Sequence, residues 1–384
     1  MAKLDELVRG EFRQALNQNY GFEPVGEFRE DVKRVISNIP SLIDEDVDTI
    51  KQITKAGSFV IPELDNDSLL NLVRYNAEGA HKTKSEKKEI TAEIVESHFD
   101  GHVSKVAHEL FARSQNKSWL EISYDSVIRS AKKAEGTDVR HSAFSFAIAS
   151  ERAKTLHELT NKLDYLVGAE RFSSTAAKIF EDFDENRAAS CHFHGAEISR
   201  KIYEFTNDTE WLKKEFTHRR TCAEINDLIK SDLTDSSFES AAVCAKEMYD
   251  RTKRTTWLTS FYEMKFASAE SAKKLDKPFA KYIYTYAGNA ARDLFHATKN
   301  KDWLKKYHEC YVASAQLAES TDPLHAGHAH MFAGNAASDL FRETKEFFWR
   351  ENATRHYQRA IYLMEANNVS SQTIHNLKRS IERL

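Results

Sequence analysis

All five tryptophans of this 384-residue chain stand in one column of a 46-residue ladder. Counting down from Trp349 by 46 gives Trp303, Trp257, Trp211, Tyr165 and Trp119, with one tyrosine filling the sixth place. The surroundings repeat too: Asn289–Trp303 reads NAARDLFHATKNKDW, and Asn335–Trp349 reads NAASDLFRETKEFFW. A fixed period of this size marks a repeat architecture, in which each unit buries its apolar face only against its neighbours.

The period sets six units, 91–136, 137–182, 183–228, 229–274, 275–320 and 321–366. Each opens with a helical stripe. One column reads Ala107, Ala153, Ser199, Ala245, Ala291 and Ala337, and three residues on come Leu110, Leu156, Ile202, Met248, Leu294 and Leu340. A turn earlier stand Ser104, Ser150, Ala196, Ala242, Gly288 and Gly334. Apolar and small residues at this spacing define one helix face, and the small ones let a second helix approach closely. A hydroxyl column, Ser114, Thr160, Thr206, Thr252, Thr298 and Thr344, ends the first helix. Ser118, Asp164, Glu210, Thr256, Asp302 and Phe348 precede the aromatic column, and four of these six suit an N-cap, which predicts that the aromatic residue opens the second helix. Small residues such as Ala313, Ser314 and Ala315 are expected to end it, and Asp322-Pro323 to cap and start the next first helix.

Residues 1–90 lie outside the period and read as an N-terminal helical domain or cap. Residues 367–384 carry Ile374, Leu377, Ile381 and Leu384 on one face and read as a C-terminal capping helix, as a stacked array requires. Between Pro62 and Pro278 there is no proline, which favours long helices. The expected fold class is all-α, an α-solenoid (α-α superhelix) of about six two-helix repeats.

These features resemble the tetratricopeptide-like α-solenoid repeat superfamily: helix–turn–helix units, Trp303-Leu304 with Tyr307 opening a helix, and small residues at helix crossings. The resemblance covers 91–384, with a unit of 46 residues against about 34 in the common tetratricopeptide. It implies a scaffold that binds peptides or proteins on a concave face, and no catalytic residue carries over.

Composition fits a folded chain, with 41% hydrophobic and 30% charged residues. Net charge is −4, which weighs against whole-surface attraction to nucleic acid. The opening MAKLDELVRGEFRQAL has acidic residues where a secretion signal needs an apolar core, and no apolar run approaches the ~20 residues of a membrane span. Cys191, Cys222, Cys244 and Cys310 form no CxxC pair. The expected setting is cytoplasmic, with reduced thiols.

Two groups are candidates for binding. The first is a basic column, Lys154, Arg200, Lys246 and Arg292, preceded by His108 and followed by Ser338. One cation per repeat meets an acidic peptide or a phosphate backbone; as a solvated flank it is paired with its neighbours Glu247 and Asp293. The second is Tyr282, Tyr284 and Tyr286, aligned with His328, His330 and Phe332, which serve either peptide recognition or the inter-repeat core. Asn289 and Asn335 head a varied polar column that reads Val243, Glu197, Glu151 and Lys105 in the earlier units. His98 and His102 lack the glutamate of HExxH, and His330 turns away from His325 and His328, so no metal and no cofactor is expected. No GxSxG, Walker A or GxGxxG is present. The reading is a non-enzymatic protein- or peptide-binding scaffold. A solenoid binding single-stranded RNA through the basic ladder is the second reading, and sensor repeats attached to an N-terminal effector region the third. No membrane partner is expected.

Overall fold

The computed structural model describes residues 89–384, so the expected domain over 1–90 lies, apart from its last residues, outside the described part. Every element there is an α-helix: α1 (Glu89–Ser114), α2 (Lys117–Ala134), α3 (Val139–Thr160), α4 (Leu163–Phe180), α5 (Glu185–Thr206), α6 (Thr209–Leu228), α7 (Thr234–Thr252), α8 (Thr255–Lys274), α9 (Ala280–Thr298), α10 (Asp302–Ala318), α11 (Pro323–Thr344), α12 (Phe347–Ala366) and α13 (Ser371–Glu382). The chain divides into two compact units, one ending at Ile202 and the other beginning at Tyr203, with the boundary inside α5. In the first, α1 packs on α2, α2 on α3, and α3 on α4. In the second, each helix from α6 to α13 packs on its successor. Both are all-α helical-repeat stacks of the expected class.

The turn inside each hairpin has one chemistry. Ser114, Thr160, Thr252, Thr298 and Thr344 each donate a hydroxyl to the carbonyl four residues back, at 2.6–2.8 Å. The same oxygens accept the N–H two residues on, as do those of Thr206 and its kin. Between them sits a left-handed residue, namely Gln115, Asn161, Asn207, Lys253, Lys299 or Lys345, with φ from 53° to 62°. Its N–H bonds the carbonyl four residues earlier and closes the helix.

The N-cap expectation needs correction. Five of the six second helices start two residues sooner than expected and α10 one residue sooner; Asn116 and Asp208 cap the N–H groups of Ser118 and Glu210, and Asn300 accepts that of Asp302. Asp164, Glu210 and Asp302 therefore lie in the first turn, where the helix dipole favours an acid. Ala313, Ser314 and Ala315 likewise do not end α10, which runs on to Ala318. They are its contact face, and Ser314 Oγ bonds the Lys281 carbonyl at 2.7 Å. Asp322 does cap α11, accepting from His325 N–H at 3.1 Å, with Pro323 behind it.

Inside each hairpin the small column faces a second helix. A Cβ on Gly288 would stand 2.6 Å from the Tyr311 ring, and one on Gly334 2.7 Å from Tyr357. The tyrosines occupy the space those glycines vacate. In earlier units serines meet instead, as with Ser104 and Ser123 at 3.0 Å. Helix α13 closes the second unit with Leu377 buried among Ala353, Tyr357, Ala360 and Met364. The four cysteines are buried free thiols, and burial pushes Cys310 up to about 12 and Cys191 to about 11, which leaves them unreactive. No helix among the described residues is long and apolar enough to cross a membrane.

Candidate functional site

First helices α3 and α5 of the first unit enclose a cavity of about 560 Å³, with His108 of α1 at one wall and Ser173 and Phe180 of α4 behind. From α3 come Phe144, Glu151, Arg152, Lys154 and Glu158; from α5 come Arg187, Cys191, His194, Glu197 and Ile198. Glu151 and Glu197 belong to the column headed by Asn289, so in this unit that varied polar column faces the groove. Some of these charges are matched: Arg187 pairs with Asp184 at 3.0 Å and lies over the Phe144 ring, and Glu158 meets Lys201 at 3.5 Å, while Glu197 lies 3.9 Å from the His194 imidazole.

Two groups break this pattern. Arg152 Nε and His108 Nδ1 are sealed from water with no hydrogen-bond partner. Burial, then the Arg152 charge, pulls His108 down to about 4, so it is neutral near pH 7. Arg152 also stands in a column that is otherwise buried and apolar: Val106, Ile198, Cys244, Ala290 and Ala336. That irregularity is visible in the sequence as the one charge in an apolar register.

The basic column is divided between the units, with Lys154 and Arg200 in the first and Lys246 and Arg292 in the second. Lys154 lines the cavity without an ion pair among the described residues. Arg200 lies half-buried on α5. In the second unit Lys246 is held by Asp250 at 2.6 Å, and Arg292 lies 3.5 Å from Asp293. Arg292 and Asn335 also line a smaller cavity of about 240 Å³ with Tyr307, Phe332, Asp339, Arg342 and Tyr357. Asn289 and Asn335 each accept the hydroxyl of a second-helix tyrosine, Tyr311 and Tyr357, at 2.9 Å.

The tyrosine group separates by face. Tyr282 and Tyr286 are 43% and 55% exposed, whereas Tyr284 is wholly buried with its hydroxyl on Glu270. A helix puts residues i and i+4 on one side and i+2 on the other. Tyr284 therefore belongs to the core. His330, in the same column, is buried as well, while His328 is half-exposed.

Sequence reasoning missed a histidine chain. His308 Nε2 lies 3.3 Å from His356 Nε2, and His356 Nδ1 lies 3.0 Å from His330 Nδ1. His330 Nε2 then approaches Glu319 at 3.8 Å. Burial holds His308 at about 4 and, with its two histidine neighbours, His356 at about 3. Three neutral rings in a row exchange one hydrogen bond at each contact. They do not converge on one point, and no group of three His, Cys, Asp or Glu among the described residues is arranged to hold a metal ion.

Serine and histidine also meet twice. His141 Nε2 is 2.8 Å from Ser130 Oγ, and His325 Nε2 is 3.0 Å from Ser314 Oγ. Each hydroxyl donates to a carbonyl of the preceding first helix, Ser97 or Lys281, so the imidazole N–H must be the donor to the serine. A catalytic dyad needs the opposite polarity. These pairs latch one hairpin to the next. Asp138 and Asp322, which cap the histidine-bearing helices, complete the arrangement.

No family model matches the chain, and no curated protein matches it. Solved structures do. The apo form of RapI is 15% identical, covering 77% of this chain and 92% of that one, with a TM-score of 0.30. A Rap protein complexed with competence and sporulation factor is 11% identical, covering 92% and 97%, with a TM-score of 0.26. The S. pombe nuclear import adaptor Nro1 is 10% identical, covering 77% and 99%, with a TM-score of 0.33. At such scores these likenesses say nothing about what this chain binds.

Proposed function

We propose that this chain is a non-enzymatic protein-binding scaffold that seats an extended peptide in the groove between α3 and α5. The observation that carries this reading is the cavity itself. It is open, about 560 Å³, and walled by first-helix side chains that mix aromatic surface with both signs of charge. An extended peptide brings unpaired N–H and C=O groups every few ångströms, and such a wall satisfies both kinds while the exposed Phe144 takes apolar side chains. The hydrogen-bond polarity of the Ser–His pairs supports a role other than catalysis. RNA binding through the ladder is the weaker reading, because Lys246 is already engaged by Asp250.

Panning a displayed random 12-residue peptide library against the full chain tests this. Ala147 lines the groove, and Ala147→Trp fills it. Enrichment on the parent and none on Ala147→Trp is expected. No enrichment on the parent, or equal enrichment on both, defeats the proposal.

A further inference from the structure

Arg152 is the feature that the fold does not explain. Five other repeats put Val, Ile, Cys, Ala and Ala in its place, all buried, so packing at this column asks only for an apolar side chain. The guanidinium is half-buried, makes no hydrogen bond or ion pair among the described residues, and has its Nε sealed off. Burial disfavours the charged form of this side chain, so a partly desolvated guanidinium in an apolar register calls for a compensating anion. His108 Nδ1 is orphaned on the same cavity wall, and Lys154 stands two residues away, also unpaired.

We infer that this corner is a carboxylate seat, and that the peptide placed in the groove by the reading above is anchored there by an aspartate or glutamate side chain. Charge selects the carboxylate. With Arg187 and Glu158 matched by Asp184 and Lys201, the groove retains Arg152 and Lys154 against Glu151 and Glu197. With two carboxylates already on the wall, a ligand bringing one negative charge to Arg152 and Lys154 meets less repulsion than a phosphate dianion. Position selects an internal residue over a chain end. The α3 lining runs from Phe144 to Glu158, about 21 Å of helix at 1.5 Å per residue, and Arg152 lies midway along it. A chain crossing the groove passes Arg152 on both sides. Arginine binds a carboxylate in two parallel hydrogen bonds, and neutral His108 adds a donor without adding charge.

The test uses peptides enriched on the full chain, synthesised with amidated C-termini. An acidic residue recurring at one internal position is expected. Its exchange for Gln or Asn should weaken binding about 10- to 100-fold, the range of a buried charge-assisted contact. Arg152→Met should weaken the acidic peptide by the same factor, leave the Gln or Asn peptide unchanged, and raise the melting temperature of the empty protein. Enriched peptides without an acidic preference, or bound equally by Arg152→Met, overturn the carboxylate seat and leave the peptide groove standing. Binding only with a free C-terminus overturns the internal placement. A lowered melting temperature in Arg152→Met makes the arginine structural and overturns the inference. Failure to enrich any peptide, with poly(U) bound instead, overturns the groove reading itself.

Discussion

Gly334→Ala tests the packing logic of the hairpins most directly. The added methyl would stand 2.7 Å from Cδ1 and Cε1 of Tyr357 and 3.2 Å from Cγ. Ordinary carbon contacts lie at about 3.5–4.0 Å, so the ring must retreat by about 1 Å. Its retreat is restricted: Tyr357 is packed against Ala353, Ala360, Met364 and Leu377, its hydroxyl is tied to Asn335 at 2.9 Å, and only its side on the smaller cavity is open. Overpacking of this kind costs about 1–3 kcal/mol, and loss of the tyrosine hydrogen bond about 1 kcal/mol more. Alanine returns about 1 kcal/mol through helix propensity. The net expectation is a loss of about 1–3 kcal/mol, measured by urea unfolding of the full chain followed through tryptophan fluorescence. The first repeat holds the control, because Ser104 and Val127 occupy the equivalent places. In a Tyr357→Val background Gly334→Ala should be neutral or stabilising, a coupling of about 2 kcal/mol. The same loss in both backgrounds, or a stabilised single variant, refutes the argument.

Three further outcomes are expected. His308 and His356 titrate far below an ordinary histidine near 6.5, so the unfolded chain binds more protons below that pH. Stability should be full above about pH 6.5 and fall as pH drops towards 4; between pH 7.5 and 5 His356→Gln should lose about 1–2 kcal/mol less than the parent in urea melts at the two pH values. Asp322→Ala removes the cap on His325 N–H, the partner of the Tyr282 hydroxyl and the 3.5 Å contact to Lys281, and should cost about 1–2 kcal/mol by the same melts. The backbone hydrogen bond from His325 holds the Asp322 carboxyl below the usual range, so this contribution is present at neutral pH and disappears in acid. Lys246→Ala loses a surface pair one turn long and a 5.5 Å approach to the Tyr249 ring, and should shift stability by no more than about 1 kcal/mol.

The period made the repeat count and helix pairing legible, because every column reports the same packing environment six times over. What it did not reveal are relations between columns. The Ser–His latches join a residue near the end of one hairpin to one at the start of the next, and among the described residues they occur only at His141 and His325, where the column carries a histidine. The histidine chain needs three helices, α10, α11 and α12, and so has no signature within any one of them. The tyrosine triplet was readable but grouped by neighbourhood: helical geometry already separates Tyr284 from Tyr282 and Tyr286. The N-cap was placed late because Asp164, Glu210 and Asp302 suit the first turn as well as the cap. Arg152 was legible throughout, since a column of Val, Ile, Cys and Ala has no use for a guanidinium.

The hairpin turns also make the chain editable in units. Thr298-Lys299 and Thr344-Lys345 adopt the same turn, with φ of 57° and 62° at the lysines. Excising 299–344, 46 residues, would join Thr298 directly to Lys345 and reproduce that junction. Gly288 would then face Tyr357 where it now faces Tyr311, and the same glycine–tyrosine fit would close the shortened hairpin. A gene of this kind can lose or duplicate one period by recombination without creating a junction the protein has never folded, so the number of repeats is free to vary by whole steps, while the groove between α3 and α5 keeps its own residues.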